Sequence, residues 1–191
     1  MLNCDLINAI IPNSISLARI FLSIFFVICV FHNLICVSFV IFIIAAISDF
    51  LDGYLARRWK VESYIGSMLD PLADKCLMIS SYLMLTYQNF IPIYLTVVVI
   101  FRDIAILFVV LLCKIYEIPL KIKPIYSSKV NTTIQLLYII LVLACRCSMI
   151  DVPSIILCGC ALVVMASTAY SAVEYARKYY WIKNAIHSRK Q

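Results

Sequence analysis

Six long apolar stretches, separated by short polar connections, make up most of the chain. Each is close to the roughly 20 residues that carry a helix across a bilayer. The first opens at Pro12, a residue suited to a helix start, and continues to Phe31. The second runs from about Leu34 to Ala56, the third from about Gly66 to Tyr87 and the fourth from about Ile91 to Tyr116. The fifth covers about Lys129 to Cys145 and the sixth about Pro153 to Tyr175. His32 with Asn33, and Gln88 with Asn89, are the polar pairs at two tight turns, and the longest polar connection precedes the fifth stretch. The twelve residues before the first stretch predict a short interfacial helix. The pattern therefore predicts an all-α integral membrane protein with six transmembrane helices.

Composition agrees with the pattern. Of 191 residues 64% are hydrophobic, and mean hydropathy is +1.01, against about half apolar in soluble domains. The length fits one domain over residues 1–191. Nine cysteines lie mostly within apolar runs with no C-x-x-C pair, and read as small buried hydrophobes rather than disulfides or zinc ligands. The C-x-C pairs at 145/147 and 158/160 leave oxidation or a shared metal open.

The net charge of +6 is distributed by side and is no footprint of nucleic acid. Twelve Lys or Arg lie in or at the edges of the connections after stretches two and four and in the C-terminal segment: three, four (Lys114 and Lys129 at the edges) and five. The connections after stretches one, three and five hold Arg146 alone. By the positive-inside rule both termini face the cytoplasm or matrix. The sequon at Asn131 then lies on the wrong side for glycosylation and is a chance match. The opening segment carries one acid and no Lys or Arg, unlike a secretory n-region or a basic transit peptide. A bacterial inner membrane, or a mitochondrial inner membrane after loss of a leader, is the expected location.

Against this background residues 49–74 stand out, with four aspartates and two of the three glycines. Asp49 and Asp52 are spaced i,i+3, and Asp70 and Asp74 i,i+4, so on helices each pair shares a face. Four carboxylates in a low-dielectric site repel; protonation or a bound cation relieves them, and hard divalent ions that take oxygen ligands are the natural candidates. Gly53 follows Asp52 directly, where a ligand needs close approach to the backbone, and Ala56 keeps the same face small. Arg57 adds a guanidinium able to grip phosphate. Together these describe a phosphate-ester site.

The pattern Asp49-x2-Asp52-Gly53-x2-Ala56-Arg57-x8-Gly66-x3-Asp70-x3-Asp74 resembles the signature of the CDP-alcohol phosphatidyltransferase family at every defined position. The segment Pro12-Asn13-Ser14-Ile15-Ser16-x2-Arg19 resembles the opening of the first span in several of its branches. The resemblance implies that Asp49, Asp52, Asp70 and Asp74 hold two divalent cations, Mg2+ or Mn2+. It implies that Gly53, Ala56, Arg57 and Gly66 receive the cytidine diphosphate part of CDP-diacylglycerol, and that Asp74 is the general base. It also implies a homodimer, and the positive-inside assignment puts the motif on the cytoplasmic or matrix side.

Three cations lie inside the spans, Arg19, Lys75 and Arg102, and in hydrocarbon they are expected to face a polar cavity. Arg102, near mid-span, is an anion binder for the acceptor, although Asp103 beside it allows a purely structural ion pair. The stretch 127–136, SSKVNTTIQL, resembles two branches: phosphatidylglycerophosphate synthases and mitochondrial-type cardiolipin synthases. The first branch typically has a second basic residue where this chain has Asn131, after Lys129. One cation fewer suits an acceptor with a single phosphodiester charge, such as phosphatidylglycerol, over a phosphomonoester. FRDIAI at 101–106 and YSAVEYARKYY at 170–180 resemble the cardiolipin synthase branch as well. Arg102, Lys129 and Asn131 are thus the acceptor head-group candidates. The alternatives are a phosphatidylglycerophosphate synthase using glycerol 3-phosphate and, more distantly, an ion or proton transporter.

Overall fold

A computed structural model describes the backbone of residues 2–59, 66–115 and 126–187 and the side chains of residues 17–48, 75–108 and 126–177. These residues form six α-helices and the turns between them: α1 (Leu2–Phe31), α2 (Ile35–Trp59), α3 (Gly66–Tyr87), α4 (Ile93–Ile115), α5 (Tyr126–Arg146) and α6 (Ser154–His187). Among the described residues two helical segments, Tyr126–Arg146 and Ser154–Arg177, are long and apolar enough to cross a membrane, and Leu17–Phe31 and Ile35–Ser48 are shorter apolar segments.

Two expectations need correction. The first is the separate interfacial helix: α1 is one helix of 30 residues running through Pro12. Proline removes only its own N–H from the ladder, and a continuous helix loses that one bond where a full break would leave several backbone groups without a partner. The second concerns cysteine. Cys36 and Cys147, 111 residues apart, form a disulfide. Neither is buried, and of the free cysteines with described side chains Cys29 alone is. No local spacing encodes a pair that the fold brings together over such a distance. The basic C-terminal segment, finally, continues α6 to His187.

The chain divides into two compact units, one of residues 1–91 with 139–151, the other of residues 92–138 with 152–191. In the first, α1 packs against both α2 and α3. Its core holds Phe26 and Val30 of α1, Phe42 and Ala45 of α2, Tyr82 and Leu85 of α3, and Ile139 and Leu143 of α5. The rings of Phe26 and Phe42 meet at 5.9 Å. Buried hydroxyls bond back into their own helices, Ser38 to the Leu34 carbonyl and Ser81 to the Leu77 carbonyl, which satisfies them in an apolar setting. In the second unit α4 packs against α6.

Three helices of the first unit end alike. Asn33, Asn89 and Ser148 adopt φ of 60°, 59° and 58°. After each, the next amide reaches the carbonyl five residues back: Leu34 to Cys29, Phe90 to Leu85, Met149 to Ala144. This is the left-handed cap that closes a helix by satisfying its last carbonyls, and Asn is the non-glycine residue that tolerates it best. In the second unit Pro92 and Pro153 open α4 and α6, their carbonyls accepting from Leu95 and Ile156. Large apolar side chains cover much of the outside, among them Phe21, Phe25, Val97, Phe101, Ile155 and Leu162, a surface that suits hydrocarbon and not water.

Candidate active site

The eight motif residues are divided between two helices of the first unit. Asp49, Asp52, Gly53, Ala56 and Arg57 lie on the helical backbone of α2, and Gly66, Asp70 and Asp74 on that of α3. Their side chains lie outside the described residues. Helical backbone at both places keeps the i,i+3 and i,i+4 spacings meaningful, with each aspartate pair on one face of its helix. As a donor set, four carboxylates fit hard divalent cations that take oxygen ligands. Among the described residues no cluster of three His, Cys, Asp or Glu could hold a metal.

The second unit contains a polar cluster in an apolar setting. Arg102 of α4 is 4% exposed and Asn131 of α5 is 1% exposed. The guanidinium donates from Nη1 to Asp103 Oδ1 at 2.7 Å. From Nη2 it donates to Ser128 of α5, at 2.8 Å, and to Ser171 of α6. It lies 6.0 Å from the ring centre of Tyr175, within cation–π range. Its Nε–H is buried and meets no partner among the described residues.

Asn131 lies one turn along α5 from Ser128. Its carboxamide oxygen is 2.8 Å from the Ser167 hydroxyl and 3.1 Å from that of Thr168. Its Nδ2 is buried with no partner among the described residues. Whichever way the amide is turned, one polar end meets the hydroxyls and the other is left over. Gln135 extends the cluster by donating to Thr168 at 3.2 Å. Glu174, one turn beyond Ser171, has a buried carboxylate oxygen that likewise meets no partner among the described residues. The second unit therefore offers two unmet ends of Arg102 and Asn131 and one unmet carboxylate oxygen. Buried polar groups seldom stay unmet, which sets this cluster apart from the apolar packing around it.

Of the residues singled out in sequence, Arg102 and Asn131 come into one cluster. Lys129 does not join it: it is exposed, one residue and thus about 100° around α5 from Ser128. Arg19 is buried in α1 at 1% exposure and Lys75 is half-buried on α3, and both are engaged by other groups. Sequence reasoning missed Ser167, Thr168, Ser171, Glu174 and Tyr175, which form one stripe of α6. Their recurrence at i, i+1, i+4, i+7 and i+8 was the available signal.

A groove of about 470 Å3 adjoins the cluster, lined almost wholly by apolar atoms of α4 and α6, with Arg102, Thr168 and Tyr175 in its wall.

Comparison with known proteins joins these observations to a family. The model of the CDP-alcohol phosphatidyltransferase family matches residues 9–173. A cardiolipin synthase (CMP-forming) of Rattus norvegicus is 33% identical over 186 residues, covering 88% of this chain and 62% of its own. That of Homo sapiens is 34% identical over 187 residues with the same coverage. A CDP-diacylglycerol–glycerol-3-phosphate 3-phosphatidyltransferase of Blochmanniella floridana is 38% identical over 109 residues, 56% of each chain. The chain thus spans about three fifths of the mammalian relatives it matches. With a motif complete on α2 and α3 and a family match extending over most of its length, the chain belongs to the CDP-alcohol phosphatidyltransferase family.

Proposed function

We propose that the protein is a cardiolipin synthase, transferring the phosphatidyl group of CDP-diacylglycerol to phosphatidylglycerol with release of CMP. The observation that carries the choice of acceptor is the cluster around Arg102 and Asn131. Arg102 is balanced by Asp103 at 2.7 Å, and Lys129 stands apart from them. Directed donors without excess positive charge suit one phosphodiester charge better than the near-double charge of a phosphomonoester.

In this reading Gly53, Ala56 and Gly66 leave room for the cytidine diphosphate part and Arg57 holds its phosphates. Asp49, Asp52, Asp70 and Asp74 hold two divalent cations, Mg2+ or Mn2+, which when bound neutralise charge on the pyrophosphate and the departing CMP. An acceptor hydroxyl oxygen forms a bond to the phosphatidyl phosphorus as the bond from that phosphorus to the CMP oxygen breaks. Asp74 takes the hydroxyl proton. Arg102 and Asn131 hold the acceptor phosphate and so fix the orientation of its glycerol end. The architecture is a single membrane domain of six transmembrane helices, with termini and motif on the cytoplasmic or matrix face of a bacterial or mitochondrial inner membrane. Its homodimeric state rests on family resemblance alone.

The test offers purified protein labelled CDP-diacylglycerol and Mg2+ with phosphatidylglycerol or glycerol 3-phosphate. Cardiolipin formed from phosphatidylglycerol, and reduced by about 100-fold or more in Asp74→Asn, is the expected outcome. Phosphatidylglycerophosphate formed in its place would make glycerol 3-phosphate the acceptor. The long local match to the glycerol-3-phosphate transferase keeps that second reading in play.

A further inference from the structure

We propose that the groove between α4 and α6 seats an acyl chain of the acceptor, so that the acceptor is selected as a whole phospholipid and not by its head group alone. The inference rests on the phosphatidyltransferase reading above and adds the part of the substrate that reading leaves out. The groove is walled by Val97, Phe101 and Ala105 of α4 and by Ala169, Ala172 and Ala176 of α6. The three α6 alanines are spaced i, i+3 and i+7, so one side of that helix is kept shallow along two turns. From Val97 to Ile106 the groove follows about 14 Å of α4.

What ties this trough to a ligand is Arg102. It is 4% exposed, it lines the groove, and its Nε–H has no partner among the described residues. Thr168 and Tyr175 belong to both surfaces: each lines the groove, Thr168 touches Asn131, and Tyr175 faces the guanidinium. Polar cluster and apolar trough are thus adjoining faces of α6, an amphipathic seat for a molecule with an anionic head and an aliphatic chain. In hydrocarbon, exchanging a neighbouring lipid tail for the acceptor's chain gains little. The trough therefore selects by position: a seated chain orients the head group held by the guanidinium and carboxamide, and an acceptor without a chain loses that orientation. The trough shares Arg102 and Thr168 with the cluster that holds the acceptor head group, which assigns the seat to the acceptor.

Steady-state kinetics with the full-length protein in mixed micelles test this, with CDP-diacylglycerol as donor and either dioleoyl phosphatidylglycerol or its deacylated form, glycerophosphoglycerol, as acceptor. Wild type is expected to prefer the diacyl acceptor by about 100-fold in kcat/KM, because remote binding contributes to orientation. Ala172→Phe, filling the trough, is expected to raise KM for phosphatidylglycerol about tenfold. KM for the donor and turnover of glycerophosphoglycerol should stay unchanged, which also shows that the variant is folded. An unchanged KM for phosphatidylglycerol overturns the proposal. So does a rise in the donor KM instead, or equal use of both acceptors by wild type.

A second measurement needs neither a variant nor turnover. Phosphatidylglycerol carrying a photoreactive group on its acyl chain should label α4 and α6 of wild type, and unlabelled phosphatidylglycerol should compete. Labelling without competition overturns the proposal. If wild type releases no CMP with any alcohol, the phosphatidyltransferase reading fails, and the competed labelling still decides whether the trough holds the lipid.

Discussion

At the scale of single residues, Arg102 matters more for where its donors point than for its charge. Asp103 cancels that charge at 2.7 Å, and two serines from neighbouring helices fix the plane of the guanidinium. Removing one member of a buried pair leaves the other uncompensated, which costs about 3 to 5 kcal/mol. Asp103→Asn is therefore expected to lower stability by that order, seen as an earlier thermal transition in detergent. Arg102 and Asn131 were legible in sequence because a charge and an amide in apolar runs are conspicuous. Ser128, Ser167 and Ser171 were not, since a hydroxyl in such a helix usually bonds its own backbone and signals nothing by itself. Ser167 does both, lying 3.0 Å from the Val164 carbonyl and 2.8 Å from Asn131. Lys129 is exposed, and this was not legible: charge is visible in sequence, but the direction in which a side chain leaves the helix depends on tertiary packing.

At the scale of elements, the positions of all six helices followed from hydropathy, and α3 begins and ends where the sequence placed it, at Gly66 and Tyr87. The start of α6 beside Pro153 and the stops at Asn33 and Asn89 were legible because those residues have backbone preferences of their own. Ser148 was not, as serine has no such leaning, yet it adopts the same left-handed φ of 58°. Ser148→Gly is expected to stabilise the protein by about 1 kcal/mol, and Ser148→Val to destabilise it by about 1 to 2 kcal/mol. Thermal unfolding of the two variants side by side checks the sign. The continuity of α1 through Pro12 lay beyond sequence reasoning, because proline is compatible both with a helix start and with an interior position whose lost bond is tolerated.

At the scale of the whole molecule, chain connectivity and covalent linkage differ. The Cys36–Cys147 bond closes a loop of 111 residues within the first unit, and loss of a native crosslink typically costs about 2 to 4 kcal/mol. Cys36→Ser and Cys147→Ser should each lower thermal stability by that order, and the double variant no further. Counting thiols with a maleimide before and after reduction should show two appearing in wild type and none in the double variant. The bond also says something about geography. Cys36 stands at the beginning of α2, and Asp49 follows it 13 residues later, about 20 Å along the same rod. Disulfides persist where glutathione and thioredoxin do not reach, so the redox state of this pair reports which compartment the beginning of α2 meets. Reading that state in the cell, before and after a reductant, therefore tests topology from a point about 20 Å along the same rod from the motif.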